Sequence, residues 1–593
     1  MVETKTGVRT GAVPVPVRRP LGDWLRERGS GLMFLALVIG AGAGLGAIAF
    51  RWLIKWATLV LSGHADYSAT PGAGHPWLPG WGSWFLLLAP VVAGLVYGPL
   101  VQRFASEARG HGVPEVMYAV SERGGRIKPQ VSLVKTLASA LCIGGGGSVG
   151  REGPIVQIGS ALGSTFGQWV KLPERRLRVL VACGAAGGIA ATFNAPLAGP
   201  FFAMELILQS FTIESFGAVV LASVMASVVG RAVMGNEAFL SLPAFHLHSP
   251  AEFGLFAVLG VLIGASGVLF SKVLYLVEDV CDWLWRGPEW LRPAVGGLLL
   301  GGLLLVLPQM YGVGYPVLAD AITGNYAIGF LLLLMVGKMI ATSLTIGIGG
   351  SGGVFAPSLF VGAMGGTAFG LAAHALLPGI VASPGAYGLI GMGAAFAGAA
   401  RAPITGVIVL FEITDQYSVI LPMMLAVVVA TLVSRTLSKS TVYTTKLRRR
   451  GIDLEASHLR GSLPDSTVAS VMEELPRTLP ADTRLREAAD TLAASGHDVL
   501  PVVDSSGQYQ GCVTARAVAE ELGKNERVSD TVGQLAELPD TVSSETKLVD
   551  ALEVLVGAEG SGVPVLTADE TELVGWIRHQ TLLSSMRTAA HAS

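Results

Sequence analysis

Apolar residues occur in long runs over most of the chain, separated by short stretches rich in glycine, proline or charge. The first run, 31–50, approaches the length of a membrane span; a cleaved signal peptide would have its apolar core nearer the start, so we predict a retained helix. Further runs predict helices over 84–100, 131–143, 153–170, 177–193, 212–235, 251–275, 293–307, 327–345, 354–377, 384–400, 403–413 and 417–434. Several are too short to cross about 30 Å of hydrocarbon, and broken helices at membrane depth are tolerated only when they line a cavity or lie buried in protein. The pattern therefore predicts an all-α polytopic membrane protein with a transport pathway.

Charge divides the chain near residue 450. Residues 451–593 contain 10 Lys and Arg and 23 Asp and Glu, whereas the preceding 450 residues contain 31 and 20. Charged residues are 14% of the whole chain, against about 25% in soluble globular proteins. We therefore expect a polar N-terminal segment (1–30), a membrane domain (31–450) and a soluble tail (451–593).

Basic residues flank the membrane domain at both ends. Six Lys and Arg lie within 1–30, and six more lie within 435–450. Because cytoplasmic flanks of membrane helices carry an excess of positive charge, we expect a multi-pass protein of the cell membrane with both termini in the cytoplasm.

An internal repeat runs through the membrane domain. Residues 147–167 and 350–370 share G-S-x-G-x3-P-x4-G-x3-G-x2-F-G, and residues 194–205 and 401–412 share A-P-x2-G-x5-E. The domain is therefore a duplication of about 200 residues per half, with halves near 31–235 and 250–447. Duplicated halves are typical of transporters, whose substrate site lies where the halves meet.

Three glycine-rich stretches each lead into a proline and then an apolar helix. Pro154 and Pro357 occupy this position in the two repeats, and Pro114 follows Gly110-His111-Gly112-Val113. Proline is favoured at the first helical position, and a helix N-terminus presents unpaired N–H groups and partial positive charge. Three such N-termini directed at one point would bind an anion. The alternative is that these segments are only tight turns.

Glu152 lies among glycines, two residues before Pro154. An intramembrane carboxylate is costly and is usually functional. Beside helix N-terminal amides it would itself occupy the anion site, and protonation would release it. The alternative is a surface ion pair with Arg151.

These motifs resemble the CLC family of chloride channels and transporters. The resemblance rests on GHGVP (110–114), GREGP (150–154), GVFAP (353–357) and the tyrosine of STVYTTKL, Tyr443. It implies an inverted-repeat fold of about eighteen partly broken helices, a homodimer with one pore per subunit, and a gating glutamate at Glu152. It further implies anion binding by the following residues: His111, Gly112, Arg151, Gly153, Val354, Phe355 and Tyr443.

Two positions depart from the family pattern. His111 stands where the family usually has the serine that contacts the anion, so the resemblance leaves the preferred anion open. Proton-coupled members often carry a second glutamate after the N-A-P-L-A-G segment, and here that inner proton-acceptor position is Leu206, beside Glu205. Because Glu205 has a counterpart in Glu412, we interpret both as structural residues.

The tail contains its own repeat. Thr483-x-Leu485-x2-Ala488-x3-Leu492 recurs 63 positions later, and each copy predicts a helix, two strands joined by a hairpin, and another helix. This resembles an α/β pair of CBS domains, at about 466–522 and 528–586. Such pairs often bind adenine nucleotides, but Ala517 and Thr581 replace the aspartate that commonly holds the ribose. We therefore favour a structural or dimer-stabilising tail without a cofactor.

Motifs typical of enzymes are few in the sequence. Ser266 and Ser351 lie in GxSG motifs like those of intramembrane serine proteases, with His374 as the nearest candidate base to Ser351, but such matches are expected by chance among 77 glycines. The four cysteines form no metal or disulfide pattern.

The sequence thus predicts transport of chloride or a similar small anion, without enzymatic activity. Leu206 favours a passive channel, and proton-coupled chloride exchange is the alternative. The expected partners are the anion, protons in the exchange alternative, the lipid bilayer and a second copy of the chain; neither nucleic acid nor metal is expected.

Overall fold

A computed structural model of the protein describes residues 21–235, 240, 245, 249–381, 383–415, 417–452, 466–524, 531–558, 562–569, 572–582 and 584–585. The chain divides into two compact units, Met1–Ile452 (the membrane unit) and Asp453–Ser593 (the tail unit). The termini, 1–20 and 586–593, lie outside the described residues. So do residues 528–530, where the second repeat of the tail is expected to begin.

The described part of the membrane unit contains eighteen α-helices. They are α1 (Leu21–Glu27), α2 (Gly29–Ser62), α3 (Phe85–Phe104), α4 (Val113–Ser121), α5 (Pro129–Gly144), α6 (Glu152–Val170), α7 (Glu174–Phe193), α8 (Ala198–Phe202), α9 (Ile213–Met234), α10 (Glu252–Leu284), α11 (Arg292–Val306), α12 (Tyr315–Ile322), α13 (Ile328–Gly347), α14 (Phe355–Leu376), α15 (Pro384–Ala400), α16 (Pro403–Thr414), α17 (Ile420–Leu437) and α18 (Thr444–Arg449). A π-helical segment, Ala203–Leu208, continues α8.

Each predicted apolar run forms a helix, and the prediction of a helical membrane protein is confirmed. Eight helices in the described residues are long and apolar enough to cross a bilayer. The sequence underestimated α2 and α10, which have 34 and 33 residues, because charged residues within each helix, from Arg51 in α2 and from Glu278 in α10, ended the apolar runs early. It did not predict α1, α8, α12 and α18, which are too short to show a hydrophobic period.

The two halves of the membrane unit pack in the same way. Helix α6 packs on α7 as α14 packs on α15. Likewise, α2 contacts α7 and α9 as α10 contacts α15 and α17. The duplication seen in the sequence is therefore a duplication of the helix packing.

Glycine brings the paired helices into backbone contact. A Cβ at Gly159 would lie 2.1 Å from the carbonyl oxygen of Gly184, and a Cβ at Gly362 would lie 2.2 Å from that of Gly391. Gly362 lies 203 positions after Gly159, so both halves use the same crossing. Small residues allow this close approach, which explains part of the chain's high glycine content.

The tail unit contains two copies of one small α/β motif. Its described elements are β1 (Leu479–Pro480), α19 (Leu485–Ser495), β2 (Val499–Val503), β3 (Tyr509–Thr514), α20 (Ala515–Gly523), β4 (Val542–Ser543), α21 (Leu548–Gly557), β5 (Gly562–Leu566) and β6 (Leu573–Arg578). The sheets have the orders β1-β2-β3 and β4-β5-β6, each with one parallel and one antiparallel pairing. The repeated Leu and Ala positions of α19 and α21 are buried in two separate cores, as the pattern predicted.

Candidate functional site

The three glycine-rich stretches converge at one place in the membrane unit. Gly150 and Gly353 exchange two backbone hydrogen bonds, with N···O distances of 2.7 and 2.6 Å. The amide of Gly110 donates to the carbonyl of Gly350 at 3.0 Å. The loops before α4, α6 and α14 are therefore joined, and the interpretation of these segments as isolated tight turns does not hold.

The helices begin slightly earlier than their prolines predicted. Helix α6 starts at Glu152 and α14 at Phe355, so Pro154 and Pro357 are third residues rather than first. A proline remains compatible with the first turn because its missing N–H would have no intrahelical partner there. The N–H groups of Val354 and Phe355 thus lie at the start of α14, where partial positive charge is concentrated.

Backbone atoms fill the space between these helix starts. A Cβ at Gly153 would lie 3.0 Å from the Cα of Gly353 and 3.4 Å from the amide nitrogen of Gly112. A side chain at any of these positions would push the loops apart. The sequence therefore needs glycine here to bring several N–H groups to one centre.

The Glu152 side chain is buried at this convergence, with 1% of its surface exposed. Its Oε1 accepts a 2.6 Å hydrogen bond from the hydroxyl of Tyr315. A Cβ at Gly150 would lie 2.1 Å from its Oε2 and 3.3 Å from the amide nitrogen of Ala356, so this oxygen faces the start of α14. This burial excludes the alternative of a surface ion pair with Arg151. That neighbouring guanidinium instead lies 5.4 Å from the ring centre of Tyr315.

His111 and Tyr443 form the opposite wall of the convergence. Both side chains are 1% exposed, and their ring centres are 6.4 Å apart. The His111 Nε2 lies 3.3 Å from the hydroxyl of Tyr275, which donates its proton to the carbonyl of Val442 at 2.7 Å. Because that proton is used, Nε2 carries the histidine hydrogen in this pair. The other nitrogen, Nδ1, has no hydrogen-bond partner among the described residues.

Cationic side chains lie close enough to His111 to act on it electrostatically. They are Lys135, Lys446 and Arg450. Lys135 is fully buried and donates to the carbonyls of Ala108 and Gly110, at 2.9 and 2.7 Å, which fixes the loop that carries His111. Glu115 forms salt bridges with Lys446 and Arg450, at 3.0 and 2.9 Å, so the three cations and this one acid leave a net positive charge that favours an anion nearby.

A fourth loop, Gly312-Val313-Gly314-Tyr315-Pro316, was missed by the sequence analysis. It lies 202 positions after Gly110–Pro114 and shares G-x-G-x-P with it. Lys338, which lies 203 positions after Lys135, is also fully buried and donates to the carbonyls of Gly312 and Val313, both at 3.0 Å. The detectable signal was a G-x-G-x-P loop followed at a similar spacing by a lysine in each half.

A cavity of about 310 Å³ borders this fourth loop. Arg51, Lys55, Arg151 and Tyr315 are among its lining residues, together with one acid, Asp66. The excess of positive charge in this lining favours anions in the cavity.

Glu205 and Glu412 cap helices of the opposite repeat. The Glu412 carboxylate accepts hydrogen bonds from the amides of Leu197 and Ala198, the closest at 2.6 Å. Glu205 accepts from the amides of Ile404 and Thr405, at 3.2 and 2.8 Å. The exchange is reciprocal, as a two-fold relation between halves requires. Both glutamates hold backbone N–H groups, as their repeat suggested.

Leu206 is buried, with 5% of its surface exposed. It lies in the π-helical segment, which contacts α4 just after the His111 loop. Glu205 lies next to it in the same segment. Glu205 is held away from this position by its bonds to the start of α16.

The serines considered for proteolysis have structural partners. Ser351 Oγ contacts the carbonyl of Ala108 and the hydroxyl of Ser139, both at 2.8 Å. Ser266 Oγ donates to the carbonyl of Ile263, and the ring of His374 bonds Val381. This arrangement contains no nucleophile paired with a base among the described residues.

A cavity of about 280 Å³ lies in the tail unit, lined in part by Thr514, Ala517, Glu537 and Asp540. Its lining contains these two acids and no Lys, Arg or His among the described residues. Thr581, the other substituted ribose position, donates to Glu473. An acidic cavity repels phosphate, so the residues present do not fit an adenine nucleotide.

The comparisons with known proteins agree with this geometry. The sequence model of the family described as voltage gated chloride channel matches residues 93–435, and the CBS domain model matches residues 468–524. The H(+)/Cl(-) exchange transporter ClcA of Vibrio campbellii is 36% identical over 430 residues, which cover 70% of this chain and 89% of that protein.

Two solved structures share the fold. A slow cyanobacterial Cl⁻/H⁺ antiporter superposes with a TM-score of 0.63 at 28% identity, covering 71% of this chain and 97% of the antiporter. A eukaryotic CLC transporter gives a TM-score of 0.62 at 22% identity, covering 93% and 97% of the two chains, and this likeness concerns the fold alone.

The duplicated helical fold and the convergent helix starts define a multi-pass membrane transporter of anions. The chain belongs to the voltage gated chloride channel family, or CLC family, and carries a C-terminal CBS region.

Proposed function

We propose that this protein exchanges chloride for protons across the cell membrane, with Glu152 as both gate and proton carrier. The observation that carries the proposal is the buried Glu152 carboxylate, which lies between the loop before α6 and the start of α14. The exchange activity named for the ClcA relative and for the cyanobacterial antiporter supports exchange over the passive channel that Leu206 favoured.

The anion is bound by groups at the convergence. The amides of Val354 and Phe355 and the hydroxyl of Tyr443 bind it directly, and His111 completes the inner wall. Gly112 and Gly153 allow the backbones of the converging loops to approach one another closely. Arg151 attracts anions in the cavity that borders the fourth loop. Binding by dipoles and hydrogen bonds suits a transported ion, which must bind favourably and also leave.

Competition for the same N–H groups couples the two ions. An ionised Glu152 occupies the position of an anion and blocks the path. A proton converts the carboxylate to a neutral carboxyl, which has less attraction for the helix starts and makes room for chloride. The arriving chloride then favours the displaced and protonated state, so that each ion drives the other.

Orientation and assembly are part of the proposal. We place both termini in the cytoplasm because the flanks of the membrane unit are basic. We further propose a homodimer with one pathway per subunit, in which the CBS region serves a structural role. A bifunctional cross-linker on the reconstituted protein would yield only monomer if this assembly is wrong.

Proton transport driven by chloride tests the proposed exchange. In liposomes loaded with chloride, the purified protein should acidify the interior against the proton gradient, because chloride leaving downhill is exchanged for protons that enter. A passive channel sets its zero-current voltage by the anion gradient alone, so chloride flux without uphill proton movement would overturn exchange. Empty liposomes and liposomes with a protonophore provide the controls.

His111 should make anion binding depend on pH. Its Nδ1 can donate to an anion only after the ring takes up a proton, because Nε2 already carries the hydrogen shared with Tyr275. Since burial of the ring opposes its charged form, as do the nearby cations, we expect tighter chloride binding only below about pH 6.5, the ordinary pKa of histidine. Calorimetric titration across pH should show this trend in the native protein and not in His111→Ser. An equal trend in both proteins would mean that only the loop backbone serves the anion.

A further inference from the structure

The gate carboxylate has a fixed hydrogen-bond donor on another helix. The Tyr315 hydroxyl, at the start of α12, donates to Glu152 Oε1 on α6 at 2.6 Å. Tyr315 also lines the cavity that borders this loop, so the bond joins a cavity-lining residue to the buried carboxylate. Tyr315 is the repeat counterpart of Val113. It therefore places a hydroxyl where the loop Gly110–Pro114 has an apolar side chain.

The loop that carries Tyr315 is held rigidly. Lys338 Nζ donates to the carbonyls of Gly312 and Val313, and Gly314 takes a φ of 87° that favours glycine. Pro316 then fixes the second residue of α12. A donor on such a loop remains in place when its acceptor moves.

We propose that Tyr315 is a positioning residue that latches Glu152 in its closed position and thereby sets the pH at which the gate opens. This inference rests on the proposed role of Glu152. A hydrogen bond to an ionised carboxylate is roughly twice as strong as one between neutral groups. Protonation therefore weakens the latch at the moment when the gate must move.

Other polar groups also act on Glu152, and they remain when the latch is removed. Arg151 lies beside it in the chain, and Lys338 on α13 and Tyr443 before α18 interact with it electrostatically. Tyr315→Phe leaves all three in place and removes one hydroxyl. A change in this variant can therefore be assigned to the hydrogen bond.

Anion efflux from liposomes, measured against external pH, tests the latch. The hydroxyl stabilises the ionised carboxylate, so without it the carboxylate takes up a proton more readily. We expect the pH of half-maximal flux in Tyr315→Phe to rise by about one unit, a tenfold change in proton affinity. Flux on the alkaline side of the native midpoint should rise accordingly.

The chain offers a matched control in Tyr387. Its hydroxyl donates to the buried carboxylate of Glu252 at 3.1 Å, between α15 and α10. Tyr387→Phe removes the same kind of bond from the same unit and should leave the midpoint unchanged. An equal shift in both variants would assign the effect to general loosening and overturn the latch.

The double variant Glu152→Gln/Tyr315→Phe shows whether Tyr315 acts through the gate. It should match Glu152→Gln alone, because the charged acceptor is already absent. An added effect of Tyr315→Phe on that background contradicts the proposal. If Tyr315→Phe does not fold, 3-fluorotyrosine placed at position 315 keeps the shape and donates more strongly, so the midpoint should fall.

The outcomes separate this inference from the proposed function. An unchanged midpoint in Tyr315→Phe, with proton transport intact, overturns the latch and leaves exchange standing. A shifted midpoint in a protein that moves no protons uphill overturns exchange and leaves the latch standing.

Discussion

Glu152→Gln is expected to leave chloride flux measurable while removing both its dependence on external pH and its coupling to protons. Glutamine has the shape of a protonated glutamate but cannot ionise or carry a proton. In the structure the side chain is buried between the loop before α6 and the start of α14, where only the ionised form competes strongly with an anion. Uphill proton transport should fall to the level of empty liposomes, a loss on the order of a hundredfold or more for a residue that carries the proton itself.

Flux and proton movement recorded together provide the measurement. Glu252→Gln is the matched control, because Glu252 is equally buried and also accepts a hydrogen bond from a tyrosine, Tyr387. That variant should retain coupling. A Glu152→Gln protein with native pH dependence would show that the gate has been assigned to the wrong residue.

The sequence predicted the convergence because its motifs combine residue types with narrow physical uses. The motif GREGP combines glycines, an ionisable residue and a proline, and GVFAP combines a glycine and a proline. Together these residues indicate a close backbone approach and a helix start. The structure places the helix starts two residues earlier, at Glu152 and Phe355. Proline marks the first turn of a helix more reliably than its first residue.

The fourth loop was missed because its repeat signal is short and displaced. Gly312–Pro316 shares only two glycines and a proline with Gly110–Pro114, at an offset of 202 rather than 203. The contact that gives the loop its importance, between Tyr315 and Glu152, joins residues 163 positions apart. No local pattern specifies such a contact, because it depends on how the two halves pack.

Glu205 and Glu412 show what an internal repeat can predict and what it leaves undetermined. The shared A-P-x2-G-x5-E spacing predicted equivalent, structural roles for Glu205 and Glu412. It could not predict that each carboxylate binds the helix start of the other half, since the spacing within a half does not reveal the partner. The π-turn at Ala203–Leu208 was equally hidden, because its residues are common in α-helices.

Leu206→Glu is expected to accelerate proton transport, by on the order of tenfold, if the inner half of the proton path limits exchange. Leu206 is buried in a segment that contacts α4, next to the loop of His111, and its apolar side chain cannot take up a proton. Glu205 cannot replace it, because its carboxylate is bound to Ile404 and Thr405. A titratable group at 206 would bind the proton transiently and lower the free-energy barrier for its passage through apolar protein.

Leu206→Gln is the control for this substitution, since it adds a polar side chain of the same size without a titratable proton. Proton and chloride rates in liposomes should rise together in Leu206→Glu and remain near native values in Leu206→Gln. Equal rates in the two variants would mean that the proton path does not pass position 206. A rise in Leu206→Gln alone would instead assign the native barrier to dry packing, because a polar side chain can recruit water without exchanging a proton itself.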